Sequence, residues 1–403
     1  MKNKIVLVCR ILLGIVFIFS GFVKAVDPWG SAYKIMDYFL AWKLSAFDFA
    51  ALPLAFAQSA VEFALGVLLL FGVYRKAVTG LILLLMCFMT PLTLYLAITN
   101  PITDCGCFGD ALVITNWQTF FKNIVLLAMA IIAFIRHKEI TPLFSKKARF
   151  LTVLYTSIFI LAVSFYCYVY LPVLDFRPYK IGNNLVELSQ IPEGAATDQY
   201  EITFTYEKDG VKQNFTIENY PKGDSTGWKF VDSQSKLIKK GYEPPIHDFT
   251  ITGENGDDRT EEILSDTSYT FLLIAHKLEQ ADEAHIDKIN EIYDYTQQHG
   301  YRFLCLTASL PRQIQEWKES TGAEYPFYTT DDIALKTIIR SNPGLLLLKA
   351  GVVINKWADN DIPNTILGQI PENHDKRNIL LLLLVLIVPL AVLYIIDYQF
   401  IKS

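Results

Sequence analysis

Six long apolar stretches, each close to the length needed to cross a bilayer, dominate the hydrophobic pattern of this chain. A hydrocarbon core needs about 20 apolar residues per helix. The pattern therefore predicts membrane-spanning helices at Ile5–Val26, Pro53–Val73, Val78–Ile98, Trp117–Ile135, Leu151–Leu171 and Ile379–Ile396. Because Lys24, Asp27 and Pro28 follow the first stretch in place of a small-residue cleavage site, we expect that stretch to remain as an anchor helix.

The long polar part between the fifth and sixth stretches contains two different patterns. Residues 172–240 include alternation with a period of two and a hairpin signal, Lys208-Asp209-Gly210, which together predict a β-rich segment. In residues 241–365, predicted strands alternate with predicted helices, as is typical of a sheet layered against helices. The predicted fold class is therefore an α-helical membrane bundle with an exported α+β region that contains an α/β domain.

The predicted domains follow from these patterns. Residues 1–140 form a membrane domain of four helices, and residues 151–171 form a fifth membrane helix. The β-rich segment and the α/β domain come next, and residues 379–396 form the sixth membrane helix.

Basic residues set the predicted orientation, since Lys and Arg flanking membrane helices stay on the cytoplasmic side. They precede the first helix, lie between the second and third, and cluster over residues 136–149 between the fourth and fifth. The loop from Thr99 to Asn116 contains neither Lys nor Arg, so it is predicted outside, together with the long polar part. We expect a multi-pass protein of the bacterial inner (cytoplasmic) membrane, with cytoplasmic termini and a large periplasmic region.

Composition narrows the function classes. The chain has 403 residues, of which 52% are hydrophobic, and its formal net charge is -5. It is too apolar for an ordinary soluble protein, and its negative charge gives no basis for nucleic-acid binding. The membrane is the first partner that the sequence predicts.

The most distinctive motif is the cysteine pair in that uncharged outer loop, Cys105 and Cys107, within the run DCGCFGD at residues 104–110. Two thiols one residue apart are expected to bond to each other, to bind a metal, or to exchange with a partner's cysteines. A disulfide closed across Gly106 would be strained, and strained exposed disulfides are the labile ones. The other cysteines lie in apolar runs and are expected to be inert: Cys9, Cys87, Cys167 and Cys305.

Charges along the loop argue against a fast nucleophile. Asp104 and Asp110 flank the pair, and neighbouring negative charge raises the pKa of a thiol. From the sequence we therefore expect a disulfide that is itself attacked.

Glu62 lies in the middle of the second apolar stretch, where a carboxylate is costly and is a functional candidate by default. The alternative is a protonated side chain that only hydrogen-bonds a neighbouring helix. Lys24 and Arg10, near opposite ends of the first helix, are expected to reach the membrane interface. Four glycines are expected to allow close helix packing: Gly14, Gly21, Gly66 and Gly80.

Several of these residues carry a family resemblance over roughly the first 140 residues. The segments at 10–14 and 19–24, with Asp27-Pro28, resemble the opening of the DoxX family, and Glu62 with the loop at 105–109 resembles the related MauE (methylamine utilisation) group. The resemblance implies a four-helix membrane bundle that helps to form disulfides in exported proteins, similar to quinone-coupled thiol oxidases. In that role Cys105 and Cys107 would pass electrons to a quinone, with Glu62 handling a proton.

The α/β domain resembles thioredoxins and peroxiredoxins, with Asn342-Pro343 in the place of their cis-proline. Where those proteins carry Cys-x-x-Cys, this chain has no cysteine after Ala275, and His276 is expected to be solvated. The resemblance thus implies a redox-silent domain whose groove beside Pro343 binds a partner.

Two other interpretations remain open. The chain is alternatively a non-enzymatic assembly or docking subunit of a membrane complex, with the cysteines as a structural staple. A metal or thiol-stress site ranks last, because the pair lacks the further ligands of a closed zinc site. Candidate partners are reduced exported proteins.

Overall fold

A computed structural model describes residues 2–221, 227–239, 241–363 and 375–402. Within these residues, six helices are long and apolar enough to cross a membrane. The predicted membrane helices are confirmed, with ends that differ from the predicted ones by a few residues. They are α1 (Lys2–Val26), α3 (Ala51–Phe71), α4 (Arg75–Thr99), α5 (Asn116–Ile135), α6 (Lys146–Val169) and α12 (Asp375–Lys402).

One helix of the membrane domain, α2 (Pro28–Ala41), was not predicted. Its 14 residues are too few to span a bilayer, and Lys34 and Asp37 interrupt its apolar pattern. The Asp27 side chain caps its first turn by accepting a hydrogen bond from the Gly30 backbone nitrogen. The helix packs against the start of α3 and thereby comes to lie beside the cysteine loop.

Close packing of α1 on α3 depends on small residues. A Cβ added at Gly66 would lie 2.6 Å from the backbone nitrogen of Ile18, and one at Gly21 would lie 2.4 Å from that of Phe63. The packing role is thus confirmed for Gly21 and Gly66, and also for Gly14 beside Leu70. For Gly80 it is wrong, because an added Cβ would make only ordinary contact, at 3.4 Å, with the ring of Phe134.

Arg10 does not reach the interface. Its side chain is buried, with its guanidinium donating hydrogen bonds to the carbonyl oxygens of Leu69 and Leu70. Those carbonyls belong to the last turn of α3, where helical partners run out. The residue therefore caps a helix end, and the expectation from sequence was wrong.

The polar half contains two sheets. The smaller is antiparallel, in the order β2-β1-β3, and the turn at Asp209-Gly210 joins β1 to β2 as predicted. The larger has the order β6-β5-β4-β7-β8, with β4, β5 and β6 parallel and β7 and β8 antiparallel. The strands are β1 (Gln199–Lys208), β2 (Val211–Thr216), β3 (Lys229–Lys239), β4 (Tyr269–Ile274), β5 (Arg302–Thr307), β6 (Phe327–Thr329), β7 (Gly344–Lys349) and β8 (Val352–Ala358).

Helices cover both faces of the larger sheet, which explains why its strands are almost continuously apolar. Along β4, Phe271 and Leu273 face the core beneath α9 and α10, while Leu272 and Ile274 face the core beneath α8 and α11. The helices are α7 (Leu185–Ser189), α8 (Thr260–Leu264), α9 (Ile286–His299), α10 (Pro311–Thr321) and α11 (Asp332–Ile338).

The chain joins this core before residue 241. Tyr179 and Leu185 are buried in it, and Asn184 bridges to Val352 in β8. The expected β-rich segment therefore contributes its first residues to the larger sheet's domain. The predicted segment ends at residues 240 and 365 lie outside the described residues.

The close approach of α1 and α3 gives a testable pair of substitutions. We expect Gly66→Ala to destabilise the membrane domain by about 1–3 kcal/mol, because the new methyl group meets backbone atoms of α1 that have little room to shift. Gly80→Ala is the matched control and should be neutral or slightly stabilising, because its methyl group has space. Thermal unfolding in detergent measures both. Equal loss in the two variants would contradict the packing role.

Candidate functional site

The cysteine loop folds back onto the bundle and brings its two thiols together. The sulfur atoms of Cys105 and Cys107 lie 3.0 Å apart as free thiols, so a small movement would bring them to the disulfide length of about 2.05 Å. Between them Gly106 has φ +69°, a left-handed conformation that strains other residues, and an added Cβ would meet the Lys34 side chain at 2.6 Å. Glycine at this position is therefore required by the turn.

A buried ion pair holds the loop from below. Lys24 is only 5% exposed, and its ammonium group donates to Glu62 Oε2 at 2.7 Å, to Ser20 Oγ at 2.7 Å, and to the Cys107 carbonyl oxygen at 2.9 Å. These three acceptors match its three donors. The expectation that Lys24 reaches the interface was wrong, because the carboxylate on α3 and the loop carbonyl give it partners inside the protein.

Both carboxylate oxygens of Glu62 are engaged. Oε2 lies 2.7 Å from the Ser20 hydroxyl as well as from Lys24, and Oε1 accepts from Gln58 Nε2 at 3.1 Å. The same hydroxyl lies 2.7 Å from the Cys107 carbonyl oxygen. Glu62 is thus connected to the loop through Ser20 and Lys24, both of which hydrogen-bond the backbone carbonyl oxygen of Cys107.

The two thiols have opposite acidities. The hydrogen bond between the two sulfur atoms lowers the pKa of Cys107 in spite of burial, and Lys122 and Lys24 lower it further. The same hydrogen bond, together with burial, raises the pKa of Cys105. The suppression of a thiolate by Asp104 and Asp110 stays a prediction, and Lys24 from α1 and Lys122 from α5 supply a positive charge that the loop itself lacks.

Aromatic contacts fix the far side of the loop. The ring of Phe108 lies 5.5 Å from that of Phe19, and Lys122 Nζ stands 4.1 Å from its centroid. This cation–π contact places the Lys122 charge beside the cysteine turn.

Helix α2 covers the loop on its other side. Lys34 Nζ lies 3.0 Å from Asp104 Oδ2, and the Tyr38 hydroxyl donates to the Cys105 carbonyl oxygen at 3.1 Å. As a result Cys105 is buried, while Cys107 is partly exposed.

Arg340, from the larger sheet's domain, joins that domain to the cysteine loop. Its guanidinium binds both oxygens of Asp27, with three contacts of 2.8–3.0 Å, and reaches Asp110 Oδ2 at 3.2 Å. It also lies 5.5 Å from the centre of the Tyr33 ring. Burial alone would raise the pKa of Asp27, but the charge of Arg340 lowers it. This contact, which we term the Arg340 clamp, brings the sheet domain and the loop to the same end of the bundle.

The predicted groove beside Pro343 lies next to this clamp. The Asn342-Pro343 bond is cis, and the proline is buried. Asn342 is occupied within the domain, where its side chain donates to the Lys277 carbonyl and its own carbonyl accepts from the Asp282 nitrogen. Partner binding at Pro343 stays a prediction, and a peptide there would compete with these bonds.

His276 and Cys305 take no part in the loop. His276 is largely buried beside Asp332, and burial, with Lys336 nearby, lowers its pKa to about 4, so the solvated histidine that we expected is instead a neutral buried one. Cys305 is fully buried in β5, and burial raises its pKa, which confirms an inert role. Among the described residues, no group of three or more His, Cys, Asp or Glu side chains is arranged to hold a metal ion.

These contacts characterise the membrane domain as a helical bundle that presents a dithiol turn. Residues 2–136 match the family model described as Methylamine utilisation protein MauE. The MauE match confirms the resemblance found in the sequence and covers a third of the chain, from α1 to the end of α5. Residues 200–240 match a model described as Domain of unknown function (DUF8463), which covers the smaller sheet. No curated protein and no solved structure matches the chain. The DoxX and thioredoxin resemblances stay predictions.

The acidities of the two thiols can be measured by alkylation of the reduced protein. We expect the rate at Cys107 to rise with pH around a pKa below that of an ordinary thiol, because the thiolate is the reactive form, while Cys105 stays slow. Lys122→Gln should raise the apparent pKa by about one unit. Lys76→Gln, which removes the same charge at the far end of α4, is the control and should leave it unchanged. An ordinary thiol pKa at Cys107 would contradict this account.

The Arg340 clamp can be tested with a matched pair of arginine substitutions. Arg340→Gln leaves the largely buried Asp27 without its partner and removes the contact to the more exposed Asp110. We expect a loss of about 3–5 kcal/mol in the stability of the docked domain. Arg312→Gln breaks an ion pair whose arginine side chain is 87% exposed and should leave stability nearly unchanged. Thermal unfolding and limited proteolysis after α6 report the difference. Similar behaviour of both variants would rule out the clamp.

Proposed function

We propose that this chain is a membrane-embedded thiol–disulfide oxidoreductase that forms disulfides in exported proteins through Cys105 and Cys107. The observation that carries the proposal is the pair of sulfur atoms 3.0 Å apart in a turn beside Lys24 and Lys122, whose charges favour a thiolate at Cys107. A structural staple needs no stabilised thiolate. A stabilised thiolate favours the reduced form of the pair, which makes its disulfide form an oxidant.

The exchange begins with the Cys105–Cys107 disulfide. A substrate thiolate attacks the sulfur of Cys105, the bond to Cys107 breaks, and Cys107 leaves as the thiolate that Lys24 and Lys122 stabilise. A second substrate thiolate then attacks the mixed disulfide and releases Cys105. The substrate gains one disulfide, and its two thiol protons are released as the thiols ionise. The loop holds the two electrons as the Cys107 thiolate and a Cys105 thiolate that takes up one of those protons.

Attack at Cys105 requires the loop to open, since this residue is buried under α2. The contacts from Lys34 to Asp104 and from Tyr38 to the Cys105 carbonyl are only part-buried, so we propose that they break and reform as the loop opens. The Lys24–Glu62 pair, in contrast, stays and returns the loop to one position. We propose that Glu62, connected to the loop through Ser20, also takes part in proton release.

A membrane quinone is the proposed electron acceptor, reduced to the quinol as the loop dithiol becomes a disulfide again. The cavity beside the loop, bordered by Val23, Gly30 and Gly106 among others, has a volume of about 60 Å³. That holds about two water molecules and is too small for a quinone ring. Transfer to a quinone therefore also requires movement of the loop or of α2.

The proposed setting is the bacterial inner membrane, with the loop and both sheets in the periplasm, the oxidising side. Basic residues at the other end of the bundle support this orientation. The description of the matching family refers to methylamine utilisation. The chemistry proposed here would serve that process, as it would any process that needs disulfides in an exported protein.

We further propose that the larger sheet's domain is a thioredoxin-like fold without its own redox chemistry. The order β5-β4-β7-β8, with β4 and β5 parallel and β7 and β8 antiparallel, supports this, as does the cis bond before Pro343. Through Arg340 the domain would fix the cysteine loop and orient exported proteins toward it.

One observation favours the alternative of a non-enzymatic docking subunit. The smaller sheet exposes large apolar side chains, among them Tyr200, Phe230 and Ile238, as a partner-binding surface would. In that case the cysteines would form a staple only.

Thiol trapping in cells separates the two functions. We expect the Cys105/Cys107 pair to be mixed between thiol and disulfide, and to become reduced when quinone or oxygen is withdrawn. Replacing both cysteines with serine should leave exported proteins with unpaired thiols, whereas Cys305→Ser, the control, should not. A pair that is always oxidised, together with normally bonded exported proteins in the double variant, would establish the docking function instead.

A further inference from the structure

A second site lies at the opposite end of the bundle. An open groove of about 710 Å³ runs between the start of α4 and the end of α5, at the far end of α4 from the cysteine loop. The 25 residues of α4 span about 37 Å, so the two sites lie near opposite ends of this helix. The residues that line the groove are Tyr74, Arg75, Lys76, Ala77, Gly80, Leu81, Phe134 and Arg149.

The rim of the groove is cationic and is not neutralised by its own lining. Arg75, Lys76 and Arg149 contribute three positive charges, and none of the described lining residues is acidic. The nearby carboxylate of Glu139 is already paired with Arg136 at 2.9 Å. The rim therefore favours an anionic group.

Backbone carbonyls hold both arginines in place. Arg75 donates to the carbonyl oxygens of Lys138 and Ile140 at 3.0 and 2.8 Å, and Arg149 donates to that of Phe144 at 3.3 Å. Because a carbonyl carries no net charge, these bonds orient the guanidinium groups and leave their charge available to a ligand.

The floor of the groove is apolar and lies in membrane-spanning helices. Gly80 forms an indentation between Leu81 and the ring of Phe134, with space where a side chain would stand. A small soluble anion would gain nothing from this floor, and a neutral lipid would gain nothing from the rim. We propose that the groove binds an anionic phospholipid, with its phosphate at Arg75, Lys76 and Arg149 and an acyl chain over Gly80.

Native mass spectrometry of the full chain in detergent tests the head-group contacts. We expect retention of phosphatidylglycerol over phosphatidylcholine with the same acyl chains. Each cation near a lipid surface is worth about fivefold in affinity, so Lys76→Gln with Arg149→Gln should weaken phosphatidylglycerol binding about 25-fold. The control is Lys146→Gln with Lys147→Gln, which removes the same charge from exposed residues outside the groove and should have little effect.

The acyl-chain contact is tested separately at the groove floor. Gly80→Leu should fill the indentation and weaken phosphatidylglycerol binding, while Gly80→Ala should retain it, since its methyl group fits. An unchanged Cys107 alkylation profile confirms that both variants are folded.

Three outcomes would overturn the proposal. One is equal retention of the two lipids. Another is an equal loss in the two double variants, which would indicate a diffuse surface charge. The third is binding of inorganic phosphate that displaces the lipid and is insensitive to Gly80→Leu, which would identify a soluble anion as the occupant.

Discussion

The buried pair of Lys24 and Glu62 is the constraint on which the cysteine site depends. Two opposite charges removed from water must pair with each other, and every remaining hydrogen-bond donor needs an acceptor inside the protein. Here the third donor of Lys24 is satisfied by the backbone of Cys107, so the loop completes the polar cluster inside the bundle. The position of the turn is therefore set by the electrostatic needs of α1 and α3, and the same lysine charge lowers the pKa of the thiol that the turn carries.

A second ionic contact, the Arg340 clamp, extends this control to the sheet domain. Asp27 caps α2, α2 covers the loop, and Arg340 binds both Asp27 and Asp110. The carboxylate of Asp27 therefore contacts both α2, which covers Cys105, and the sheet domain, through Arg340. Opening of the loop and movement of the domain are consequently expected to be coupled.

Local patterns predicted the elements, and long-range pairings determined the chemistry. The six spanning helices follow from apolar length, and the hairpin turn at Asp209-Gly210 follows from its residue types. Lys24 is 38 residues from Glu62 in the sequence, and Arg340 is 230 residues from Asp110. No local sequence pattern therefore predicts either contact. For the same reason the loop sequence alone does not reveal that Lys24 and Lys122 lie beside Cys107. A lysine within an apolar helix, together with an intramembrane glutamate, is the signal that would have indicated the pairing.

The attachment of α12 to α6 has a consequence for how the sheet domain moves. Asp397 accepts a hydrogen bond from the Ser145 nitrogen at 2.7 Å, and the Tyr155 hydroxyl donates to the Val385 carbonyl, so the helices on either side of the sheet domain in the chain lie side by side. Both of its ends are therefore tethered at neighbouring points. A domain released from Asp27 and Asp110 would remain at an effective concentration in the millimolar range over the loop, so re-docking would be far faster than encounter with any rival in solution.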